Sequence, residues 1–279
     1  QLGEIVSGGY TYFTFPKPKQ TMIHISAGVD ELGKVYQADL GINAGMAEFC
    51  TAAKAMTPVN GPWQGEAEAA HADYVAFSAP TDMPGDVNYS EIVGWLSDNL
   101  PDDAVITNGA GNYTVWVHRF FRYKQYGTQL APQSGAMGYG VPSGVAAGIR
   151  HRDQVVVSFN GDGCFQMNGQ EIGTAVQQGV KTIFIVINNG IYGTIRMHQE
   201  THYPRRKSGT DLHNPDFAAL ARAYGAHGET VTKTADFEAA FARCRAAEGP
   251  SLIELVIEQD AVLPTSTLSG IQAAALKAK

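Results

Sequence analysis

The pattern of apolar and polar positions in residues 155–200 predicts two parallel strands joined by a helix. Val155–Phe159 is a β-branched apolar run, Phe165–Gln178 has the helical period, and Thr182–Ile187 is a second apolar run. Because crossovers between parallel strands are short and right-handed, we expect both strands to lie close together and to end at one edge of a sheet. Ligands bind at that edge in doubly wound folds. The pattern therefore predicts a ligand site where these two strands end.

The remainder of the chain also alternates between strand and helix patterns, which is typical of the α/β class. Strands are predicted at Thr21–Ser26, Leu40–Asn43, Ala104–Thr107, His227–Val231 and Ser251–Ile257, and helices at Asp30–Val35, Ala44–Met56, Ser90–Asn99, Thr114–Tyr123, Pro215–Tyr224 and Ala235–Ala247. The stretch 57–90 has no sustained period and predicts a linker. We expect a doubly wound parallel sheet with helices on both faces, preceded by a smaller α/β segment.

Composition narrows the class of protein. The chain has 279 residues, of which 44% are hydrophobic and 17% charged, as in globular proteins, and its net charge is −7. No block of Lys or Arg indicates a nucleic-acid or membrane-surface role, and no apolar run reaches the ~20 residues of a membrane span. Cys50, Cys164 and Cys244 are odd in number and form no C-x-x-C pair. We therefore expect reduced thiols and a cytoplasmic location.

The residues at the two strand ends indicate a metal and a phosphate group. Asp162 offers a carboxylate oxygen, Asn189 an amide oxygen, and the glycine-rich backbone beyond can turn a carbonyl inward, which suits Mg²⁺ or Ca²⁺ better than zinc. Such a metal takes its remaining ligands from phosphate and water. Gly161 and Gly163 allow close backbone approach, and a helix starting near Cys164 directs N–H groups to the same point. Together these features predict a metal-bridged diphosphate.

The spacing of these motifs resembles a known family. Gly161-Asp162-Gly163, the 24 residues Cys164–Ile187 and Asn188-Asn189 resemble the signature of thiamine diphosphate (ThDP) enzymes. A GDG triplet by itself is often an ordinary tight turn, so the spacing, the Asn pair and the flanking strands carry the resemblance. It is strongest to the acetolactate synthase-like branch, which includes 2-oxo-acid decarboxylases and related lyases, and it covers the second half of a family member.

The resemblance implies a domain organisation. Residues 1–57 are expected to be the C-terminal part of a Rossmann-like middle domain, 58–89 a linker, 90–265 the ThDP-binding domain and 266–279 a C-terminal tail. The alternative for 1–57 is a small natural α/β lobe. In the family a pyrimidine-binding domain precedes the middle domain, so we expect one in the same chain or in a partner chain, and a homodimer or homotetramer.

A glycine-rich loop after the predicted strand 104–107 is a second candidate contact for diphosphate. Asn112 and Tyr113 at its tip present amide and hydroxyl groups toward the sheet edge. The acetolactate synthases have Gly-Gln-His where this chain has Gly-Asn-Tyr, so the chemistry of the contact differs. The alternative is that Asn112 caps its own helix.

The resemblance also implies roles for residues on two further segments. In the helix-like stretch Gln133–Ile149, the carbonyl of Gly135 would accept from the 4′-amino group of the cofactor and Met137 would wedge under its rings; Met137 as core filler is the alternative. Beyond the Asn pair, the carbonyl of Ile191 would be the third metal ligand. The amides of Gly193 and Thr194 would face the diphosphate.

The function implied is ThDP- and Mg²⁺-dependent carbon–carbon bond chemistry on a 2-oxo acid, through a C2 carbanion and an enamine. The family's activating glutamate lies on the pyrimidine-binding domain, so we assign no catalytic residue in this chain. We expect Glu171 to be structural. His198, His202 and the basic stretch 203–207 could move protons or meet a carboxylate or coenzyme A phosphate, but solvent exposure is the alternative.

Several alternatives remain open at this point. One is a 2-hydroxyacyl-CoA or benzoin-type lyase of the same family. Others are a non-catalytic assembly subunit of this fold, or a nucleotide-binding oxidoreductase, for which the runs around Gly109 and Gly161 lack the G-x-G-x-x-G fingerprint. FAD in the middle domain is possible but has no support in the residues.

Overall fold

The computed structural model describes residues 13–61, 63 and 65–278, and these fall into two compact units divided between Glu68 and Ala69. The first twelve residues of the predicted 1–57 domain and the last residue of the predicted 266–279 tail lie outside the described residues.

In the first unit, β1 (Ile23–Ser26) pairs in parallel with β2 (Leu40–Asn43), and α1 (Met46–Lys54) follows. Instead of the helix predicted over 30–35, a 3₁₀ turn at Val29–Glu31 joins the strands. The helix prediction was wrong because Gly33 takes φ 76, a left-handed conformation that interrupts a helix. Neither strand nor α1 contains a buried residue.

The stretch predicted as a linker contains α2 (Glu66–Phe77). No residue of α2 is buried, so its sequence carries no amphipathic period by which a helix could be predicted. Its alanines favour a helix by intrinsic propensity instead.

The second unit contains a six-stranded parallel sheet in the order β4-β3-β5-β6-β8-β7. Its strands are β3 (Val105–Asn108), β4 (Gln129–Leu130), β5 (Val156–Gly161), β6 (Ile183–Asn188), β7 (His227–Val231) and β8 (Ser251–Val256). A small antiparallel pair follows, β9 (Ala261–Leu263) and β10 (Ser266–Thr267). The helices are α3 (Tyr89–Asn99), α4 (Tyr113–Phe120), α5 (Gly140–Arg150), α6 (Asp162–Asn168), α7 (Ile172–Gln178), α8 (Gly193–His202), α9 (Phe217–Ala223), α10 (Phe237–Ala246) and α11 (Leu268–Lys277). Single 3₁₀ turns lie at Gly169–Glu171 and Thr234–Asp236.

Helices cover both faces of this sheet, because successive side chains of each strand point to opposite faces. On β6, Ile183, Ile185 and Ile187 pack into the core cluster that includes residues of α3, α4 and α10. Phe184 and Val186 pack into a second cluster with residues of α5, α6, α7 and α9. Fully burying one such side chain contributes about 1.5–3 kcal/mol. The predicted doubly wound α/β fold is confirmed.

Two predicted helices differ from those observed. The stretch 133–149 becomes helical only at Gly140, because Gly135 (φ 65) and Gly138 (φ 83) have left-handed conformations. The helix predicted over 165–178 is divided into α6, a 3₁₀ turn and α7. Asn168 leaves helical geometry at φ −141, and its side chain donates to the Gly138 carbonyl, 3.0 Å away.

Candidate active site

A cavity of about 270 Å³ lies at the carboxyl ends of the central strands. Apolar residues from β6, from the turn after β8 and from β9 form part of its wall. All twelve residues predicted to contact a cofactor line it: Asn112, Tyr113, Gly135, Met137, Gly161, Asp162, Gly163, Cys164, Asn189, Ile191, Gly193 and Thr194. The structure therefore brings four separate segments of the sequence to one place.

Asp162, the first residue of α6, is the buried carboxylate of this cavity, with 4% of its surface exposed. Its Oδ1 accepts from Gly163 N–H at 2.8 Å, and its Oδ2 accepts from Gly190 N–H and from Asn214 Nδ2, both at 2.8 Å. Burial raises the pKa of Asp162, and the hydrogen bonds act in the opposite direction. In the part of the chain that the structure describes, all these donors are neutral and no Lys, Arg or His forms an ion pair with Asp162.

The loop after β6 places the other two predicted metal ligands beside Asp162. Because β5 and β6 are paired in register, Gly161 opposite Ile187, the residues that follow each strand meet at the same edge. The Oδ1 atom of Asn189 accepts from Ile191 N–H at 3.2 Å, so this side chain is oriented by its own loop.

An isolated antiparallel β-bridge between Ile191 and Asp211 attaches this loop to a later segment of the chain. The bridge uses Tyr192 N–H to the Thr210 carbonyl and Leu212 N–H to the Gly190 carbonyl. Neither bond involves the carbonyl of Ile191, which therefore remains outside this pairing.

The glycine-rich loop after β3 is joined to the start of α8. Asn112 N–H donates to Thr194 Oγ1 at 3.1 Å, and the Thr194 hydroxyl donates to Asn112 Oδ1 at 2.8 Å. The Asn112 side chain makes no capping hydrogen bond to α4, so the alternative of a self-capping asparagine is not observed. Two elements 82 residues apart thus share one side of the cavity.

Glycines of the GDG motif pack against aromatic rings, a reason for glycine that we did not predict from the sequence. A Cβ atom at Gly161 would lie 2.8 Å from Tyr113 Cδ1, and one at Gly163 would lie 2.5 Å from Tyr192 Cε1. The Tyr113 hydroxyl lies 3.5 Å from Cys164 Sγ, and burial, with the Cys164 thiol beside it, raises the Tyr113 pKa. Tyr113 is therefore a fixed neutral wall of the cavity.

Gly135 and Met137 enter the cavity from the loop before α5. Gly135 ends a turn in which its N–H donates to the Pro132 carbonyl at 3.3 Å. Met137 is partly buried and packs against the core cluster that includes Tyr113, while it also lines the cavity. The position of Met137 is consistent both with core packing and with contact to a cofactor in the cavity.

Several residues of this site were not predicted from the sequence. Asn214, which donates to Asp162, lies 52 residues further along the chain. Its only local signal is an Asn-Pro-Asp start of α9, which predicts a helix terminus and no more. The cavity is also lined by residues that belong to no motif: Trp116, Ile187, Tyr192, Ile195, Ile257, Ala261 and Val262.

Other candidate residues lie elsewhere. His198 and His202 are exposed on α8, with stacked rings 6.3 Å apart, and they do not line the cavity. Four of the five residues in 203–207 are exposed. Glu171 accepts from Thr174 Oγ1 at 2.7 Å, which agrees with the structural role predicted for it.

The described residues limit the kinds of metal site and membrane segment that are available. No group of three or more His, Cys, Asp and Glu side chains there could hold a metal, so a cation in the cavity would need amide and backbone oxygens beside Asp162. None of the helices in that part of the chain has the length and apolar character needed to cross a membrane.

Comparison with known proteins decides the family. The family described as "Thiamine pyrophosphate enzyme, C-terminal TPP binding domain" matches residues 109–255, more than half of the 279 residues. The chain belongs to the thiamine pyrophosphate enzymes. Thiamine pyrophosphate is another name for ThDP, so the predicted resemblance is confirmed, and the matched residues include the cavity wall from β3 to α8.

Curated relatives of this ThDP-family chain include acetolactate synthases. It is 29% identical over 246 residues to the acetolactate synthase isozyme 2 large subunit of Escherichia coli strain K12, covering 87% of the chain and 44% of that protein. It is 30% identical over 259 residues to the acetolactate synthase large subunit of Corynebacterium glutamicum, covering 88% of the chain and 41% of that protein. The chain thus spans less than half the length of these relatives.

Proposed function

We propose that the cavity binds ThDP and Mg²⁺, and that the chain, completed by a pyrimidine-binding domain of the same or a partner chain, acts on 2-oxo acids in acetolactate synthase-like carboligation or decarboxylation. The observation that carries this proposal is Asp162, a buried carboxylate at a strand end without a cationic partner among the described residues. Membership of the ThDP family and relatives named acetolactate synthase support it.

The residues beside Asp162 fit a magnesium ion. Asp162, Asn189 Oδ1 and the carbonyl of Ile191 would hold it, and all three are the hard oxygen donors that Mg²⁺ prefers. Asn189 Oδ1 accepts one hydrogen bond, so an amide oxygen still has a lone pair for a metal. A buried carboxylate without a charged partner is unfavourable, and a divalent cation would offset that cost.

The remaining cavity residues suit the cofactor's other parts. Backbone N–H groups at the starts of α6 and α8, at Cys164, Gly193 and Thr194, would face the diphosphate, and Gly163, whose N–H is bonded to Asp162, would allow close approach of the backbone. Asn112 and Tyr113 would flank it from the loop after β3. At the other end of the cofactor, the Gly135 carbonyl would accept from the aminopyrimidine and Met137 would support the rings.

When bound, ThDP would supply a nucleophilic carbon for reaction with the carbonyl group of a 2-oxo acid. The chain's own part is to hold the diphosphate end in one orientation and to keep water away from the reacting end. Ile187, Ile257 and Val262 give that part of the cavity apolar walls. The carboxylate that activates the aminopyrimidine would come from the pyrimidine-binding domain.

Calorimetric titration with ThDP tests the binding step. Uptake should require Mg²⁺ and should be lost in the Asp162→Ala variant. Asn99→Ala, which removes a solvent-exposed amide bonded to the Trp95 carbonyl in α3, is the matched control and should bind as the wild type does. The proposal would be contradicted if ThDP uptake in the presence of EDTA equalled that with Mg²⁺, or if Asp162→Ala took up ThDP as the wild type does.

A panel of 2-oxo acids tests the reaction. The chain supplied with its pyrimidine-binding domain should release CO₂ and give an aldehyde or a longer 2-hydroxy ketone or acetohydroxy acid. The carbon number of the product distinguishes decarboxylation from carboligation. Turnover of a 2-oxo acid by this 29.9 kDa chain unaided would contradict the need for a second domain.

We also propose that the protein works in the cytoplasm as a homodimer or homotetramer. All three cysteines are free thiols, which supports a reducing compartment. Sedimentation of the purified protein at micromolar concentration tests the oligomeric state, and a monomer at that concentration would overturn it.

A further inference from the structure

The segment Gly209–Asn214, here called the strap, crosses outside the loop that carries Asn189 and Ile191. It is attached to that loop by the Ile191–Asp211 bridge. Arg196 of α8, with 5% of its surface exposed, anchors the strap because it donates through Nε to Thr210 Oγ1 at 2.6 Å and through Nη2 to Asp211 Oδ1 at 2.5 Å. The buried Arg196 and Thr210 therefore anchor the strap, although Asp211 itself is exposed.

The strap ends at Asn214, whose amide group bonds to the ends of both β5 and β6. Its Nδ2 donates to Asp162 Oδ2 at 2.8 Å and to Asn188 Oδ1 at 2.7 Å. Its Oδ1 accepts from Gln166 Nε2 at 2.7 Å, and this contact determines which side of the amide faces Asp162. Both hydrogen atoms of the Asn214 amide are thus used.

The two oxygens of Asp162 differ in what they can still accept. Oδ2 accepts two hydrogen bonds, from Gly190 and Asn214, which uses both of its lone pairs. Oδ1 accepts one at 2.8 Å, from Gly163. The backbone N–H of Asn189 also lowers the pKa of this carboxyl, but less than the other three donors do, so Oδ1 carries fewer short hydrogen bonds than Oδ2. A cation would therefore meet the carboxylate through one oxygen, the mode that suits the strict octahedral geometry of Mg²⁺, whereas Ca²⁺ readily takes both oxygens of a carboxylate.

We propose that Asn214 is a positioning residue that occupies Asp162 Oδ2, leaves Oδ1 for the metal and so favours Mg²⁺ over Ca²⁺. This inference rests on the proposed function, because it needs a divalent cation in the cavity. Asn214 acts through Asp162 and Asn188 and is not itself a ligand. Nothing in the spacing of the GDG and Asn-Asn motifs points to this residue.

Calorimetric titration of the protein with Mg²⁺ and, separately, with Ca²⁺, both in the presence of excess ThDP, tests the inference. Asn214→Ala should weaken Mg²⁺ binding by roughly 10–100-fold, the usual effect of removing a residue that orients a metal ligand. Ca²⁺ binding should weaken less, because the freed Oδ2 allows a bidentate contact. The ratio of Mg²⁺ to Ca²⁺ affinity should therefore fall, and a merely structural role of Asn214 would not change that ratio.

Gln166→Ala is a milder second variant, because Gln166 is exposed and its removal leaves the Asn214 amide in place. Gln166→Ala should also lower the ratio of Mg²⁺ to Ca²⁺ affinity, by up to about 10-fold, which is the effect of one hydrogen bond. Asn99→Ala, the exposed asparagine of α3, should leave both affinities within about twofold of wild type.

The outcomes separate this inference from the proposed function. A wild-type protein that binds ThDP without any divalent cation overturns both. A wild-type protein that binds Mg²⁺ with ThDP, together with Asn214→Ala and Gln166→Ala variants that keep its affinity ratio, overturns the role of Asn214 alone. A fall of the ratio in either variant, with Asn99→Ala unchanged, supports it.

Discussion

Replacing Gly161 by alanine isolates one contact in the wall of the cavity. Gly161 has φ −68 and ψ 155, a conformation that alanine adopts freely, so the substitution introduces no backbone strain. The added Cβ atom would lie 2.8 Å from Tyr113 Cδ1 and 3.0 Å from Cε1, well inside the ~3.5–4.0 Å of a normal carbon contact. The ring of Tyr113 is buried and must move, and space for that movement is available in the cavity.

Two opposing effects determine how much Gly161→Ala changes the free energy of unfolding. Overpacking of this kind costs about 1–3 kcal/mol. Loss of chain freedom in the unfolded state offsets about 0.4–1 kcal/mol of that cost when glycine becomes alanine. We therefore expect Gly161→Ala to lower the free energy of unfolding by about 1–2 kcal/mol. Because Tyr113 moves into the cavity, ThDP affinity should also fall, by roughly tenfold, which corresponds to ~1.4 kcal/mol.

A double-mutant cycle of Gly161→Ala and Tyr113→Ala, followed by urea denaturation, measures the energy of the contact between the added Cβ atom and the ring. In a Tyr113→Ala background the ring is absent, so adding Gly161→Ala should raise the free energy of unfolding by about 0.4–1 kcal/mol instead of lowering it. Gly249→Ala is the matched control, because a Cβ atom at Gly249 has no heavy atom within 4 Å. If Gly161→Ala costs the same with and without the Tyr113 ring, the contact is not the cause and the reasoning is refuted.

Three further predictions concern the rest of the second unit. Arg243 beside Glu229 holds the pKa of that carboxyl at about 2, so the pair stabilises the fold above the ordinary pKa of 4.5 and is lost as the pH falls toward 2. Glu229→Gln should lower the free energy of unfolding by about 0.5–1 kcal/mol at pH 7. Urea titrations of variant and wild type should show that this difference disappears near pH 2, and a difference that stays constant with pH would contradict the prediction. Phe184→Ala, at a fully buried position of β6, should lower the free energy of unfolding by about 3–5 kcal/mol, and a urea midpoint near that of wild type would contradict this. Gln272→Ala removes a 2.7 Å hydrogen bond to the buried Glu200 and should speed amide hydrogen exchange in α11, with unchanged exchange as the negative result.

Short-range patterns were sufficient to predict the centre of this fold. The apolar runs that became β5 and β6 are long enough to be recognised without their neighbours, and a parallel crossover leaves few possible arrangements. Asp162 and Asn189 therefore had to meet at one sheet edge, as the observed register of Gly161 with Ile187 shows. The family resemblance rests on the same motifs and was confirmed for residues 109–255.

Where local signals conflicted with tertiary contacts, the predictions were less accurate. The helix predicted over 133–149 starts late because Gly135 and Gly138 adopt left-handed conformations. The two-residue β4 is too short to carry a period, and α2 has no buried face that would produce one. The segment predicted as a linker therefore contains a helix that no period in the sequence predicted.

The sequence by itself determined which residues follow the two central strands, and hence that a carboxylate and an amide oxygen share an edge of the sheet. Only the tertiary structure decided that the Tyr113 ring packs on Gly161 and that Asn214 bonds to Asp162 from 52 residues away. The physical reason is range: strand and helix periods record contacts within an element, whereas the path of the strap 209–214 depends on buried partners, such as Arg196, that no local period encodes.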